Sequence, residues 1–267
     1  MITGSSRVFV IVGDPVSHSL SPAMQNAAFR ALGLPAVYVP LQCGAADLPP
    51  LLRAIARAGG GGNITVPHKE LAARSVDVCR ELGEIVEACN TFWSEDGTTI
   101  GDNTDVPGLL EALHQLGISD EPWFIVGTGG GARAAVVAAG QHGVPVAIQS
   151  RDRARQQRFE SWVASRGVPL AEPAACGVLI NATPLGLTPS DPLPTNLDQF
   201  PRATTAFDMV YARGGTPWIR SVQSRVRRSG DGRAMLVAQG AAAFERWFPS
   251  KRAPVEVMRA AVDVALR

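Results

Sequence analysis

The 267-residue chain has no long apolar run. Its first, Val8 to Val12, is too short for the core of a signal peptide, and no other approaches the roughly 20 residues of a membrane-spanning helix. Neither export nor membrane insertion is expected. Cysteine is scarce: Cys43, Cys79, Cys89 and Cys176 are scattered and form no C-x-x-C pair, which predicts reduced thiols in a cytoplasmic protein. The four histidines, His18, His68, His114 and His142, include no H-E-x-x-H and have no cysteine at ligand spacing, so no metal site is expected. A dominant charge is also missing. With 25 basic and 24 acidic residues the net charge is +1, which supplies no global field for nucleic acid or an anionic membrane. What is present is ordinary globular composition, 46% hydrophobic and 18% charged, enough to bury a core in one large domain or two smaller ones.

Short β-branched runs alternate with helical stretches as far as about residue 210, the pattern of a parallel α/β sheet. Val8 to Val12 is the first strand. Ser21 then reads as a helix cap followed by Pro22 at the first helical position, with the helix running to Leu32. Val37 to Leu41 reads as a strand, Leu48 to Ala58 as a helix, and Asn63 to Val66 as a strand entered from the glycine run Gly59 to Gly62. Pro67 starts the next helix. A hairpin follows, Ala88 to Ser94 and Thr98 to Gly101 joined by Glu95-Asp96-Gly97, and Pro107 to Leu116 is a connecting helix. Met235 to Phe248 and Val255 to Leu266 are helical by pattern. A domain boundary is expected near residue 106.

Trp123 to Val126 is a strand that runs directly into Gly127-Thr128-Gly129-Gly130-Gly131-Ala132 and then an alanine-rich helix, which satisfies G-x-G-x-x-A in the context that gives the motif meaning. Gly127 permits the tight turn, Gly129 lets the backbone approach a pyrophosphate, and Ala132 keeps helix and strand close. The next strand, Val146 to Gln149, ends in Ser150-Arg151-Asp152-Arg153-Ala154-Arg155. An acid at that strand end would bind a ribose 2′-hydroxyl, but the position is Ser150. Arg151 and Arg155 offer guanidinium donors for a 2′-phosphate, so NADP is expected over NAD. Asp152 is close enough to serve a ribose hydroxyl if the strand runs one or two residues longer.

Ser19 and Ser21 put two hydroxyls before a helix N-terminus, a site for a carboxylate; alternatively Ser21 only caps the helix. Lys69 falls in the first turn after Pro67, where the helix dipole opposes a cation and lowers its pKa, which suits proton transfer, although a surface lysine is the ordinary reading. Gly101-Asp102-Asn103-Thr104-Asp105 lacks the spacing of a calcium loop.

Taken in order, GDPVSHSLSP (13–22), NITVPHKE (63–70), CNT (89–91), GDNTD (101–105), GTGGGAR (127–133), NATPLG (181–186) and MLVAQGA (235–241) resemble the signature of the shikimate dehydrogenase family. The resemblance implies a two-domain α/β enzyme. Residues 1–105 with 237–267 would form the substrate-binding domain, and residues 106–236 a Rossmann-type NADP-binding domain. It further implies that Ser19 and Ser21 hold a substrate carboxylate, that Thr65, Asn90, Asp105 and Gln239 bond ring hydroxyls, and that Lys69 and Asp105 are the catalytic pair. Tyr211 would lie near the carboxylate. Asn181, Ala182, Thr183 and Met209 would lie near the cofactor. Gln25, Val106 and Ala234 depart from the common family residues without removing any of these groups.

The implied reaction is the reversible NADPH-dependent reduction of 3-dehydroshikimate to shikimate, a step toward aromatic amino acids. The expected partners are the small substrate and the cofactor alone, with the chain a monomer or homodimer. A quinate or aminoshikimate enzyme is the near alternative, and a nucleotide-sensing protein without catalysis is the distant one, because fold alone does not decide chemistry.

Overall fold

The computed structural model describes residues 2–188 and 190–267. The chain forms two compact units, Met1–Gly108 with Leu236–Arg267, and Leu109–Met235.

The elements of the first unit are β1 (Arg7–Gly13), α1 (Ser21–Ala31), β2 (Ala36–Gln42), α2 (Leu48–Arg57), β3 (Gly61–Ile64), α3 (Lys69–Ala73), β4 (Val78–Cys79), α4 (Glu81–Val86), β5 (Thr91–Glu95), β6 (Thr98–Asp102) and the start of α5 (Asp105–Leu116). Its sheet has the order β2-β1-β3-β5-β6-β4. Strand β1 is parallel to β2 and β3, whereas β5 is antiparallel to β3 and β6. Strand alternation sends Val10 and Val12 to one face, where they pack with Ile64, Phe92 and Leu48 and Leu52 of α2. Phe9 and Ile11 go to the other face, against Met24 and Phe29 of α1 and a group of aromatics from the C-terminal helices. Both faces are therefore covered.

The second unit contains β7 (Trp123–Val126), α6 (Gly130–His142), β8 (Val146–Gln149), α7 (Arg153–Ser165), β9 (Val178–Asn181), β10 (Thr205–Asp208), α8 (Pro217–Val222) and β11 (Arg228–Asp231). Its strands are all parallel, in the order β11-β10-β9-β7-β8. Every residue of β7, β9 and β10 is buried, as a parallel sheet covered on both faces requires. Helix α9 (Arg233–Trp247) begins in this unit and continues into the first, and α10 (Val255–Ala265) ends the chain.

Several local expectations shift. Ser21 is the first helical residue rather than the cap; Leu20 is the N-cap and no side chain caps the helix. Strand β3 starts at Gly61, not Asn63. A Cβ on Gly61 would lie 2.5 Å from the Phe92 carbonyl oxygen, and one on Gly62 2.8 Å from the Val10 nitrogen, so only glycine lets β1, β3 and β5 pair here. Helix α3 starts at Lys69, with Pro67 before it. The hairpin turn has two residues, because Glu95 pairs with Thr98 and both Asp96 and Gly97 have positive φ. Helix α5 begins at Asp105, two residues before Pro107.

Candidate active site and nucleotide site

In the first unit, β1 has β2 on one side and β3 on the other, so the strand order reverses at β1 although all three strands are parallel, the topology that favours a ligand crevice at the carboxyl ends of β1 and β3. The loops that follow those two strands carry Ser19 and Thr65, and Ser21 opens α1 directly after the first loop. They are stitched together: the Thr65 amide donates to the Val12 carbonyl at 2.8 Å, and the Asp14 amide to the Val66 carbonyl at 3.1 Å. The Ser21 amide donates to Ser19 Oγ at 3.3 Å, which leaves the Ser19 hydroxyl proton for another acceptor. Ser21 itself is buried.

The next group comes from four separate segments. Lys69 Nζ opens α3 and lies 2.6 Å from Asp105 Oδ2 at the start of α5. Asp105 Oδ1 accepts from Asn90 Nδ2 at 2.8 Å, and the same amide is 3.3 Å from Gln239 Oε1 in α9. Asn90 Oδ1 accepts from the Thr104 amide at 2.7 Å and from its hydroxyl at 3.1 Å, so the orientation of the Asn90 amide is determined. The Asn103 side chain accepts the Asp105 amide at 3.0 Å, fixing the turn in which Asp105 sits. Val106 fits this turn because it is already helical and buried, with its amide also on Asn103 Oδ1. Helix α3 is one short turn, so the environment of Lys69 is set chiefly by the facing carboxylate rather than by a helix dipole. Asp105, Asn90 and Gln239 are buried, and Lys69 is the partly open member. A cation is thus held beside a carboxylate and two amides, a set suited to giving and taking a proton at a bound hydroxyl or carbonyl.

In the second unit, β7 is flanked by β8 and β9, which places a second crevice at the carboxyl ends of β7 and β9. Gly127 occupies it with φ 119°, and a Cβ there would be 3.0 Å from the Ala182 carbonyl oxygen and 3.1 Å from Thr183 Cγ2. Gly129 is the N-cap of α6 and contributes no side chain, so the first amides, at Gly130, Gly131 and Ala132, are open to an anion's oxygens. Beside Thr128 and the other turn residues, Met209 brings its sulfur within 3.3 Å of where a Gly131 Cβ would stand. The glycine turn, the Asn181–Thr183 turn and Met209 therefore converge.

That convergence depends on Asp208, which the sequence motifs do not mark. Its Oδ1 accepts from Asn181 Nδ2 at 2.8 Å and from the Val210 amide at 3.0 Å, and its Oδ2 bonds the Thr216 hydroxyl at 2.6 Å. Burial raises its pKa to about 6, with nearby Asp231 adding to the rise and the hydrogen bonds opposing it. The available signal is an acid closing a short strand that contains Ala206 and Phe207, Thr205–Asp208.

After β8 the Ser150 amide is held by Gln156 Oε1 at 3.1 Å, and the Ser150 hydroxyl accepts the Asp152 amide at 3.3 Å. Asp152 is the N-cap of α7, its Oδ1 accepting the Arg155 amide at 3.0 Å, and that bond holds its carboxyl below the usual range. The strand ends at Gln149, so it does not run on to deliver Asp152 to a ribose. Arg151 and Arg155 are exposed. Tyr211 lies beyond β10, its ring beside Gly232.

No cluster of His, Cys, Asp or Glu suited to a metal ion occurs among the described residues. No helix among them is long and apolar enough to cross a membrane.

Comparison with known proteins agrees with this geometry. Residues 11–92 match the shikimate dehydrogenase substrate binding domain, and residues 232–262 the shikimate 5′-dehydrogenase C-terminal domain. Over 288 aligned positions the chain is 38% identical to the shikimate dehydrogenase (NADP(+)) of Symbiobacterium thermophilum, covering 98% of this chain and 96% of that one. A crystal structure of a shikimate dehydrogenase in complex with NADP+ matches with TM-score 0.91 at 28% identity, covering 100% of this chain and 98% of the other. The shikimate 5-dehydrogenase of Thermus thermophilus, crystallised with NADP(H) and shikimate, matches with TM-score 0.86 at 32% identity over 97% and 99% of the two chains. The chain therefore belongs to the shikimate dehydrogenase family.

Proposed function

We propose that this protein is an NADP-dependent shikimate dehydrogenase that catalyses the reversible reduction of 3-dehydroshikimate to shikimate. The observation that carries this reading is the Lys69–Asp105 ion pair at 2.6 Å, with Asn90 and Gln239 beside it. Such a group binds and protonates a hydroxylated ring at one oxygen.

Ser19 and Ser21 bind the substrate carboxylate at the mouth of α1, and Thr65, Asn90, Asp105 and Gln239 take its ring hydroxyls. The carboxylate contact fixes which ring carbon is presented. Lys69 has three N–H donors, of which Asp105 takes one, so another is free to reach the ketone oxygen. As the ketone is reduced, its oxygen becomes basic and takes a proton from Lys69; in the reverse direction Lys69 removes that proton. Asp105 orients Lys69 throughout.

NADPH, when bound, supplies the hydride. The residues present fit it. The uncapped start of α6 suits the pyrophosphate, and Gly127, Gly129, Ala182, Thr183 and Met209 leave a smooth wall beside it. Ser150, Arg151 and Arg155 suit a 2′-phosphate. A cytoplasmic location and a place in aromatic amino-acid synthesis accompany this reading.

The test is steady-state absorbance of NADPH formation with shikimate, run beside quinate and beside NAD. Shikimate with NADP should be the best pair. Faster turnover of quinate would transfer the assignment to the quinate enzymes, and no turnover with any pair would remove it.

A further inference from the structure

Close to the Lys69 cluster, Cys79 at the end of β4 and Cys89 beyond α4 have their sulfurs 3.2 Å apart, and neither is in a disulfide. The space for the two sulfurs is made by two glycines. A Cβ on Gly83 would lie 2.6 Å from Cys79 Sγ and 3.1 Å from Cys89 Sγ, and one on Gly101 would lie 2.8 Å from Cys89 Sγ. Cys79 is partly open and Cys89 is buried. Of the four cysteines, only Cys79 is made more acidic, by its hydrogen bond with Cys89; burial raises Cys43 and Cys176, and the same hydrogen bond, with burial, raises Cys89. Cys79 is thus an accessible thiol with a second thiol already in contact.

We propose that Cys79 and Cys89 form a modification site, a dithiol that hydrogen peroxide converts to an intramolecular disulfide, and that this bond disturbs the Lys69 cluster. The Cys79 thiolate attacks one peroxide oxygen, the O–O bond breaks, and the departing hydroxide takes a proton to become water. Cys79 is then a sulfenic acid. The Cys89 sulfur attacks the Cys79 sulfur, the S–O bond breaks, and the hydroxyl leaves as a second water with the Cys89 proton. Two thiols lose two electrons and the peroxide gains them.

The consequence follows from what Cys89 holds. Its amide donates to the Lys69 carbonyl at 2.9 Å, and the next residue, Asn90, bonds Asp105. A disulfide needs the sulfurs about 2.05 Å apart, so the backbone or rotamers at this junction must move by about an ångström. Misplacement on that scale costs up to about 10²-fold in turnover.

The effect on activity rests on the proposed function; the chemistry does not. The reduced full-length protein is treated with hydrogen peroxide, then mapped as non-reduced peptides and assayed for shikimate oxidation before and after dithiothreitol. A Cys79–Cys89 linked peptide should form, with a fall in turnover that dithiothreitol reverses. Cys79→Ser and Cys89→Ser, each checked by a melting curve, should form no such link and keep their turnover under the same treatment. Absence of the linked peptide from the parent would overturn the modification site, and a linked protein with unchanged turnover would overturn its coupling to Lys69. A parent inactive before treatment would strike the functional assignment, while the peptide map still decides the disulfide.

Discussion

Lys69 is held by its carboxylate partner rather than by a helix dipole, so what a substitution removes there is a proton carrier more than a helix defect. Lys69→Met keeps the aliphatic volume and should lower turnover by about 10² to 10⁴, the usual worth of a positioned acid or base. Shikimate affinity, measured by calorimetry on the same folded variant, should change far less, since the proposed binding mode spreads it over Ser19, Ser21, Thr65, Asn90 and Gln239. Normal turnover would return Lys69 to the role of a structural ion pair. Arg151 is exposed, and its proposed role concerns the other ligand. Arg151→Ala should weaken NADP by roughly 1.5 to 3 kcal/mol, the range of a charge-assisted hydrogen bond, and leave NAD almost unaffected; equal losses in fluorescence titrations of the two would contradict the 2′-phosphate assignment. Asp208 makes a pH-dependent contribution. Its pKa of about 6 in the folded protein lies above the ordinary 3.8, so the fold favours its protonated form. The stability it contributes is complete below the ordinary value and is lost as pH rises through about 6. Asp208→Asn is neutral throughout and should gain melting temperature relative to the parent as pH is raised across that window. A constant difference between the two melting curves would show that Asp208 does not titrate there.

At the level of elements, α7 separates a capping role from a binding one. Asp152→Ala removes the bond to the Arg155 amide, so the melting temperature should fall modestly while the preference for NADP over NAD stays as it was. A shift of that preference toward NADP would reveal that Asp152 had been serving a ribose. The strands of this unit are readable because they obey a local rule: Trp123–Val126 and Val146–Gln149 are apolar runs stopped by Gly127 and Ser150. Strand β3 begins earlier than its pattern indicates because its first residues are glycines, which have no strand preference of their own and are extended only by their contacts with β1 and β5. Helix α3 begins later than its proline indicates, because proline at the first helical position is a tendency, and here the helix waits until Lys69. The residues of the candidate site are legible as motifs, since each is a polar group in a short distinctive segment, and most stand next to a strand or helix end, Gln239 within α9 being the exception. Their mutual arrangement is not, because Asn90 and Gln239 meet across 149 positions of sequence. The thiol pair is hidden for a similar reason: nothing in the spacing of Cys79 and Cys89 marks them as neighbours until β4 and α4 are folded.

On the scale of the whole molecule, the first unit is built from both ends of the chain. Its hydrophobic core needs Phe244, Trp247, Phe248 and Met258 from the C-terminal segment as much as Phe9, Phe29 and Tyr38 from the first strands and helix. Phe9 sits 5.0 Å from Trp247 between ring centroids, and Trp247 Nε1 donates to Thr91 Oγ1 at 3.0 Å. Trp247→Ala should therefore cost about 3–5 kcal/mol in the first unit, the range for emptying a buried aromatic site. A fragment spanning residues 109–235, which has its own core around Phe124, Phe200 and Trp218, should fold without the rest. Limited proteolysis of a chain ended at Met235 checks this: the second unit should survive as the resistant product, and survival of the first 108 residues instead would be the wrong outcome. The same division orders events during translation. A ribosome releases the chain from its N-terminus, so the segment with Phe9 and Phe29 emerges early and waits, its apolar layer unfinished, while the central unit is synthesised and closes. A message cut short at the codon for Leu236 yields a finished second unit joined to sticky, unfinished β-strands, a product for chaperones and proteases.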